Sequence, residues 1–255
     1  SMKIGIIQGR LSPPLEGFQE CPTDWKREFK LLPELGLNHV EWIITKERYE
    51  SNPLHSENLE GWSISAVCAD FLVDEKFLED ISYWHSLRKV CKLARKNMIP
   101  CITLPLLEGS NVVDRDRRTS LIQKLNTLSS EFPSLDFSIE AELSADSLLE
   151  IVDHFENVHV TYDTGNMTSF GVNHTEYLDK VGHKINNVHL KDRDLSAQSH
   201  LPGSGATDFT SIFKHLKKTN YNGLYTIQTA REDDGNEPDT IVKHVNYFRE
   251  MYHAS

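Results

Sequence analysis

In the second half of the chain, apolar and polar positions alternate with a period of two in four short runs: FSIEAE, HVTYDTGN, NNVHLKDRD and LYTIQTARE. Successive side chains of a strand point to opposite faces. Ser138, Glu140 and Glu142 therefore share one face, and Phe137, Ile139 and Ala141 share the other. By the same parity Thr161 and Asp163 oppose Val160 and Tyr162. Asn187, His189 and Lys191 oppose Val188 and Leu190, and Thr226, Gln228 and Ala230 oppose Tyr225 and Ile227. An antiparallel sheet with one wet face would alternate in the same way. The intervening segments decide against it, because SADSLLEIVDHFE, HTEYLDKVGHK and TDFTSIFKHLKKTN all read as helices. The order is βαβα, and parallel strands are expected.

Extended along the whole sequence, the pattern predicts strands at 3–9, 38–44, 63–69, 101–105, 136–141, 158–165, 185–192 and 224–230. Amphipathic stretches at 24–35, 75–96, 114–131, 145–155, 175–181, 208–219 and 238–252 predict helices. The second helical slot, around 51–60 with Pro53 inside it, is short enough to be a single turn or a loop. Thr23-Asp24, Ser144 with Ser147, and Thr207-Asp208 supply N-caps. Gly36, Gly61, Gly182 and Gly223 stop strands or helices. A length of 255 residues suits one α/β chain folded as a single (β/α)8 TIM barrel, which takes about 250 residues. No Pro/Gly/Ser-rich linker divides it, so one domain over residues 1–255 is expected.

Composition narrows the function. The 38% hydrophobic content supports a core, and no apolar run approaches the roughly 20 residues of a membrane helix, so no membrane partner is expected. The start, SMKIGIIQGR, lacks a signal-peptide pattern, and Ser1 reads as an expression scar before Met2. Cys21, Cys68, Cys91 and Cys101 form no CxxC pair and read as thiols of a reduced, cytoplasmic protein. The net charge of −11 and the lack of a basic stripe beyond the short run at 114–118 argue against a nucleic-acid partner.

In such a barrel the active site lies at the C-terminal ends of the strands. Glu140, Asp163, His189 and Gln228 all fall at such ends, where together they suit one divalent ion. Singly, each residue could equally cap a loop or a helix. A mixed oxygen/nitrogen set with a neutral amide suits Mn²⁺, Mg²⁺, Co²⁺ or Zn²⁺ and does not choose among them. Such an ion can polarise a sugar carbonyl and stabilise an enediolate, a task that also needs an adjacent base.

The phrases IEAE, YDTGN, NNVHLKD, LPGSGATDF and NYNGLYTIQ resemble the xylose-isomerase-like barrels, the sugar-phosphate isomerase/epimerase group. The resemblance runs from KIGIIQGRLS to the last helix. It implies the barrel fold and a divalent ion held by a Glu, an Asp, a His or Gln, and a Glu at the ends of strands five to eight. It also implies that the glutamates of strands five and eight move the protons. Glu140 matches the first, whereas strand eight carries Gln228, which can coordinate a metal but cannot accept a proton as a carboxylate does. Lys191 and Glu232 share the parity of their strand ends and are the candidates for the second acid or base, against the plainer roles of ion-pair partner and solvated loop acid.

Asn166 stands where many of these barrels place a His, and it suits a substrate hydroxyl better than a metal. With no His in VCADF or ITLPL, the three-metal endonuclease branch of the superfamily is disfavoured. Arg10, Arg193 and Arg231 follow three strand ends and could clamp an anionic sugar derivative, or else pair with Glu16, Asp194 and Glu232. His200, in the loop before LPGSG, is a candidate substrate contact or a surface histidine. The expected partner is a small sugar or sugar derivative, and barrels of this type often form homodimers. Three functions stay open: a metal-dependent isomerase or epimerase, placed first; a metal-dependent lyase or dehydratase; and a non-catalytic carbohydrate-binding protein.

Overall fold

The computed structural model describes residues 2–15, 20–232 and 235–255. Ser1 and Glu16, which figure in the expectations above, lie outside the described residues. The strands in chain order are β1 (Lys3–Ile7), β2 (Val40–Ile43), β3 (Ile64–Cys68), β4 (Cys101–Leu106), β5 (Asp136–Ala141), β6 (Val158–Asp163), β7 (Ile185–Leu190), β8 (Asp192–Arg193), β9 (Ser199–His200) and β10 (Leu224–Ile227). The helices are α1 (Trp25–Leu35), α2 (Ile81–Lys96), α3 (Arg115–Glu131), α4 (Ala145–Val152), α5 (Thr164–Phe170), α6 (His174–Val181), α7 (Phe209–Lys218) and α8 (Glu237–Ala254). Strands β1 to β7 and β10 close into a barrel in the order β1-β10-β7-β6-β5-β4-β3-β2, and β8 and β9 form a separate two-stranded ribbon.

The chain falls into two compact units, Ser1–Glu41 with Tyr162–Ser255, and Trp42–Thr161. Both boundaries lie inside barrel strands, β2 and β6. In the first unit β10 is held on both sides by parallel partners, with Lys3 opposite Leu224 and Thr226 opposite His189. Its two final helices pack through aromatic rings, Phe209 on Phe248 at 5.2 Å and Phe213 on Tyr252 at 5.7 Å, and Phe213 also meets Tyr225 of β10 at 5.9 Å. Edge-to-face pairs of this kind add about 0.5–1.5 kcal/mol each beyond their buried area. In the second unit β4 and β5 run in register from Cys101 opposite Asp136 to Leu106 opposite Ala141.

The alternation read from the sequence corresponds to two buried faces. Ile139, Val160, Val188 and Ile227 are buried, and so are Ser138, Thr161, Asn187 and Thr226. The buried polar groups pair locally, as buried polar groups must. Ser138 Oγ lies 2.6 Å from Thr161 Oγ1, and Thr226 Oγ1 donates to Asn187 Oδ1 at 2.9 Å.

The boundaries differ from expectation where side chains cap. β6 stops at Asp163, not Gly165, because the Asp163 carboxylate accepts the Asn166 N–H at 2.8 Å and starts α5, a helix absent from the sequence pattern. α2 starts at Ile81, where Asp80 accepts the Ser82 N–H at 2.9 Å. The second slot holds a single 3₁₀ turn, Pro53–His55, capped by Asn52. β10 ends at Ile227, yet the Gln228 N–H still donates to the Leu190 carbonyl at 3.0 Å, so Gln228 keeps its place at the strand end.

Candidate metal centre

Asp163, His189 and Gln228 are buried, at 2%, 0% and 6% exposure; Asp163 closes β6, His189 is the penultimate residue of β7 and Gln228 follows β10. Asp163 is fixed from two directions. Its Oδ1 caps α5, and its Oδ2 lies 3.5 Å from the Lys191 ammonium. The main chain around Lys191 is clasped in turn, because Thr164 Oγ1 donates to the Lys191 carbonyl at 2.6 Å and accepts its N–H at 3.0 Å. Gly165 allows this approach, since a Cβ there would sit 2.9 Å from Lys191 Cγ and 3.0 Å from its carbonyl oxygen.

His189 is held by a residue the sequence reading did not single out. Its Nε2 lies 2.8 Å from Glu41 Oε1, and the same oxygen accepts from the Asn187 amide at 2.8 Å. Thr226 Oγ1 donates to Asn187 Oδ1 and faces His39 Nε2 at 3.0 Å. Burial pushes the His39 imidazole down to about 4, with Glu41 opposing that shift and His189 adding to it, so its ring is neutral. His39 stands where a Cβ at Gly5 would meet the ring at 2.3 Å, so only glycine fits there. Glu41 was missed because β2, VEWI, shows no alternation: all its residues are buried, and an acid there reads as one polar position in an apolar run.

Gln228 Oε1 is buried and has no hydrogen-bond partner among the described residues. An unmatched amide oxygen in the interior carries a desolvation cost of about 1–3 kcal/mol, which a cation would relieve.

In the second unit Glu140 is 5% exposed and stands opposite Pro105. Asp70, just past β3, is a second carboxyl that sequence reasoning passed over. Burial pushes it up to about 6, reinforced by the charges of Glu47, Glu108 and Glu140.

Arg10, Arg231, His200 and Glu232 are engaged with the protein itself. Arg10 is almost fully buried, and its Nε donates to the Thr229 carbonyl at 3.1 Å. Its guanidinium is lowered to about 10 by burial and then by Arg231, against the pull of Glu28. Arg231 donates to the carbonyls of Ser12 and Gly9 at 2.8 and 2.7 Å. Glu28 gathers the N–H groups of Gly9 and Leu11 and the Ser12 hydroxyl. Both arginines thus brace the segment that follows β1. His200 Nε2 meets Asp194 at 2.7 Å, and Glu232 lies 3.4 Å from His244 Nε2. Arg193 sits in the β8–β9 ribbon with its Nε unmatched among the described residues. Asn166 is buried and takes part through its backbone N–H, in the cap on α5.

The loop LPGSGATDF wraps Asp192. The carboxylate accepts the N–H groups of Gly203, Gly205 and Thr207 at 2.9, 3.0 and 3.1 Å. A Cβ at Gly205 would fall 2.3 Å from Asp192 Oδ1, which explains the second glycine. NNVHLKD and LPGSGATDF carried the family resemblance in the sequence, but that the second phrase wraps the Asp of the first was not anticipated.

A closed parallel barrel of alternating strands and helices defines the TIM-barrel class of fold. The chain belongs to the xylose isomerase-like TIM barrel family, whose model matches residues 29–251. Curated relatives include an inosose dehydratase of Clostridium botulinum (strain Alaska E43 / Type E3), 31% identical over 125 residues, which covers 41% of each chain. Another is an inosose dehydratase of Clostridium perfringens (strain 13 / Type A), 25% identical over 177 residues, which covers 57% of this chain and 59% of the relative. The chain thus spans about two-fifths to three-fifths of the length of these relatives. The fold is shared with the IOLI protein, whose structure holds a zinc atom (TM-score 0.77, 17% identity, 99% of each chain covered). It is also shared with D-psicose 3-epimerase of Clostridium cellulolyticum H10 (TM-score 0.73, 14% identity, 98% and 99% covered). All four cysteines are free thiols, and no helix among the described residues is long and apolar enough to cross a membrane.

Proposed function

We propose that this chain is a divalent-metal-dependent enzyme that removes a proton beside the carbonyl of a small polyhydroxylated ketone and then expels a neighbouring hydroxyl as water. The observation that carries the reading is Gln228, which offers an unmatched buried oxygen, as a cation ligand would, yet cannot serve as the second proton carrier. Glu140, Asp163 and His189 supply the buried acid and imidazole groups that could hold the ion, with Gln228 as the neutral fourth. When bound, the ion would polarise the carbonyl and neutralise the developing enediolate.

The chain's own residues divide the remaining work. Glu140 is the carboxylate that takes the carbon-bound proton and, as its conjugate acid, returns that proton to the departing hydroxyl, so one acid–base group balances the loss of water. Asp163 is held by the α5 cap and Lys191, so its position is set before substrate arrives. The inosose dehydratase relatives support elimination from such a substrate. Isomerase or epimerase chemistry is the second reading, favoured by Lys191, a buried ammonium beside Asp163 that could return a proton.

Metal-reconstituted protein incubated with a panel of keto-polyols and keto-sugars tests both readings, with product mass and solvent-deuterium incorporation as readouts. Loss of one water supports the dehydratase, and an isobaric product with deuterium at carbon supports the isomerase. Glu140→Gln is expected to abolish exchange in either case. Unchanged exchange in that variant would remove Glu140 from the mechanism, and no reaction with any member of the panel would count against the enzyme reading.

A further inference from the structure

The hydrogen bonds around Glu41 have a direction. Thr226 spends its only hydrogen on Asn187 Oδ1, so the 3.0 Å contact with His39 requires His39 to donate from Nε2. Asn187, its carbonyl occupied, presents its amide N–H to Glu41 Oε1. Every donor from His39 to Asn187 thus points toward one carboxylate, and His189 meets that same oxygen from the other side. Glu41 and His189 are fully buried, so these bonds are shielded from bulk solvent. A carboxylate accepts only, which obliges His189 to carry its proton on Nε2.

We propose that Glu41 is a positioning residue of the metal centre: it fixes His189 as the Nε2–H tautomer, so that Nδ1 is the coordinating nitrogen, and the His39–Thr226–Asn187 chain keeps the Glu41 carboxylate aimed. The proposal rests on the metal reading above. A carboxylate behind a ligating imidazole sets ring orientation and raises ligand basicity, and its loss typically costs about 10–100-fold in metal affinity. Asn187 also predicts how a conservative change behaves. In Glu41→Gln the side-chain carbonyl remains the better group to face both the Asn187 amide and His189, so the tautomer persists while the charge is lost.

Two measurements test this. Long-range ¹H–¹⁵N NMR of the metal-free protein reads the His189 tautomer, and titration with Co²⁺ followed by its visible spectrum, with Zn²⁺ competition, reads affinity. The expected wild-type tautomer is Nε2–H. Glu41→Gln should keep it and lose about 10-fold in affinity, and Glu41→Ala should mix the tautomers and lose up to about 100-fold. If the alanine variant does not fold, the wild-type tautomer and the glutamine variant still decide. A wild-type Nδ1–H tautomer overturns the assignment while leaving metal binding intact, and so does unchanged affinity in Glu41→Gln. An Nε2–H tautomer in a protein that binds neither Co²⁺ nor Zn²⁺ overturns the metal reading itself, and Glu41's role at the centre with it.

Discussion

Replacing Asp192 by Asn removes one charge and almost no volume, so its effect isolates what the carboxylate does for the loop around it. Oδ2 accepts from Gly203 and Gly205, and Oδ1 accepts from Thr207. An amide has a single acceptor oxygen. Whichever way it turns, at least one backbone N–H then faces an NH₂ group. Hydrogen bonds to a charged acceptor contribute about 1.5–3 kcal/mol each, and a buried donor left unmatched costs about 1–3 kcal/mol. Losing one such bond and weakening the other two gives an expected destabilisation of about 3 kcal/mol, limited by the cost of opening the loop locally. For a chain of this size that is about 6–12 °C in Tm. Urea denaturation and thermal melts measure the global part, and protease cleavage within 201–207 measures the local part. Gly205→Ala, whose Cβ would fall 2.3 Å from Asp192 Oδ1, should give the same cleavage pattern. A loss below about 1 kcal/mol in Asp192→Asn with no new cleavage would refute the assignment of the loop's stability to this carboxylate.

Three further outcomes are expected. Gly165→Ala forces a Cβ against the Lys191 side chain and carbonyl, so thermal melts should show a loss of about 1–3 kcal/mol, and Co²⁺ titration should show weaker binding as Asp163 is displaced. Asp70 has a folded pKa of about 6 against an ordinary 3.8, so in the metal-free protein its contribution is lost as pH rises through that window. Asp70→Asn should therefore raise stability above about pH 6 by at most about 3 kcal/mol, and by nothing below about pH 4, as read by melts across pH. Gln228→Glu should retain the metal and add a proton acceptor, so solvent-deuterium exchange into an epimerisable sugar is expected to rise; an unchanged rate would argue that Lys191 already supplies the second proton.

The barrel strands were legible because each short run combines two-residue alternation with a helix-like segment after it, as in FSIEAE followed by SADSLLEIV. The ends of those strands were not legible, because capping decides them. Asp163 reads equally well as a strand residue and as the cap it becomes for α5. Asp163, His189 and Gln228 were singled out by parity, and all three are buried. Glu41 and Asp70 were not, since one lies in a strand buried throughout and the other begins a 3₁₀ turn past β3. Arg10, Arg193 and Arg231 were read as either ligand clamps or ion-pair partners from their places after strand ends; for Arg10 and Arg231 the structure adds the backbone carbonyls of Thr229, Ser12 and Gly9, which leave no mark in sequence.

The pairing of Lys3 with Leu224 bears on how the protein is made. The first barrel strand to be synthesised is hydrogen-bonded on one side by β2 and on the other by the last barrel strand to be synthesised. While translation proceeds, the apolar β1 has an open edge that can template pairing with another chain. The segment Trp42–Thr161, continuous in sequence, can assemble its own strands as it emerges, whereas the unit built from both chain ends cannot be completed until β10 arrives. Slow codons or a stall before β10 would prolong the exposure of β1 and β7 together, which makes the yield of soluble protein sensitive to elongation rate ahead of β10 and of Gln228, the last proposed metal ligand to be synthesised.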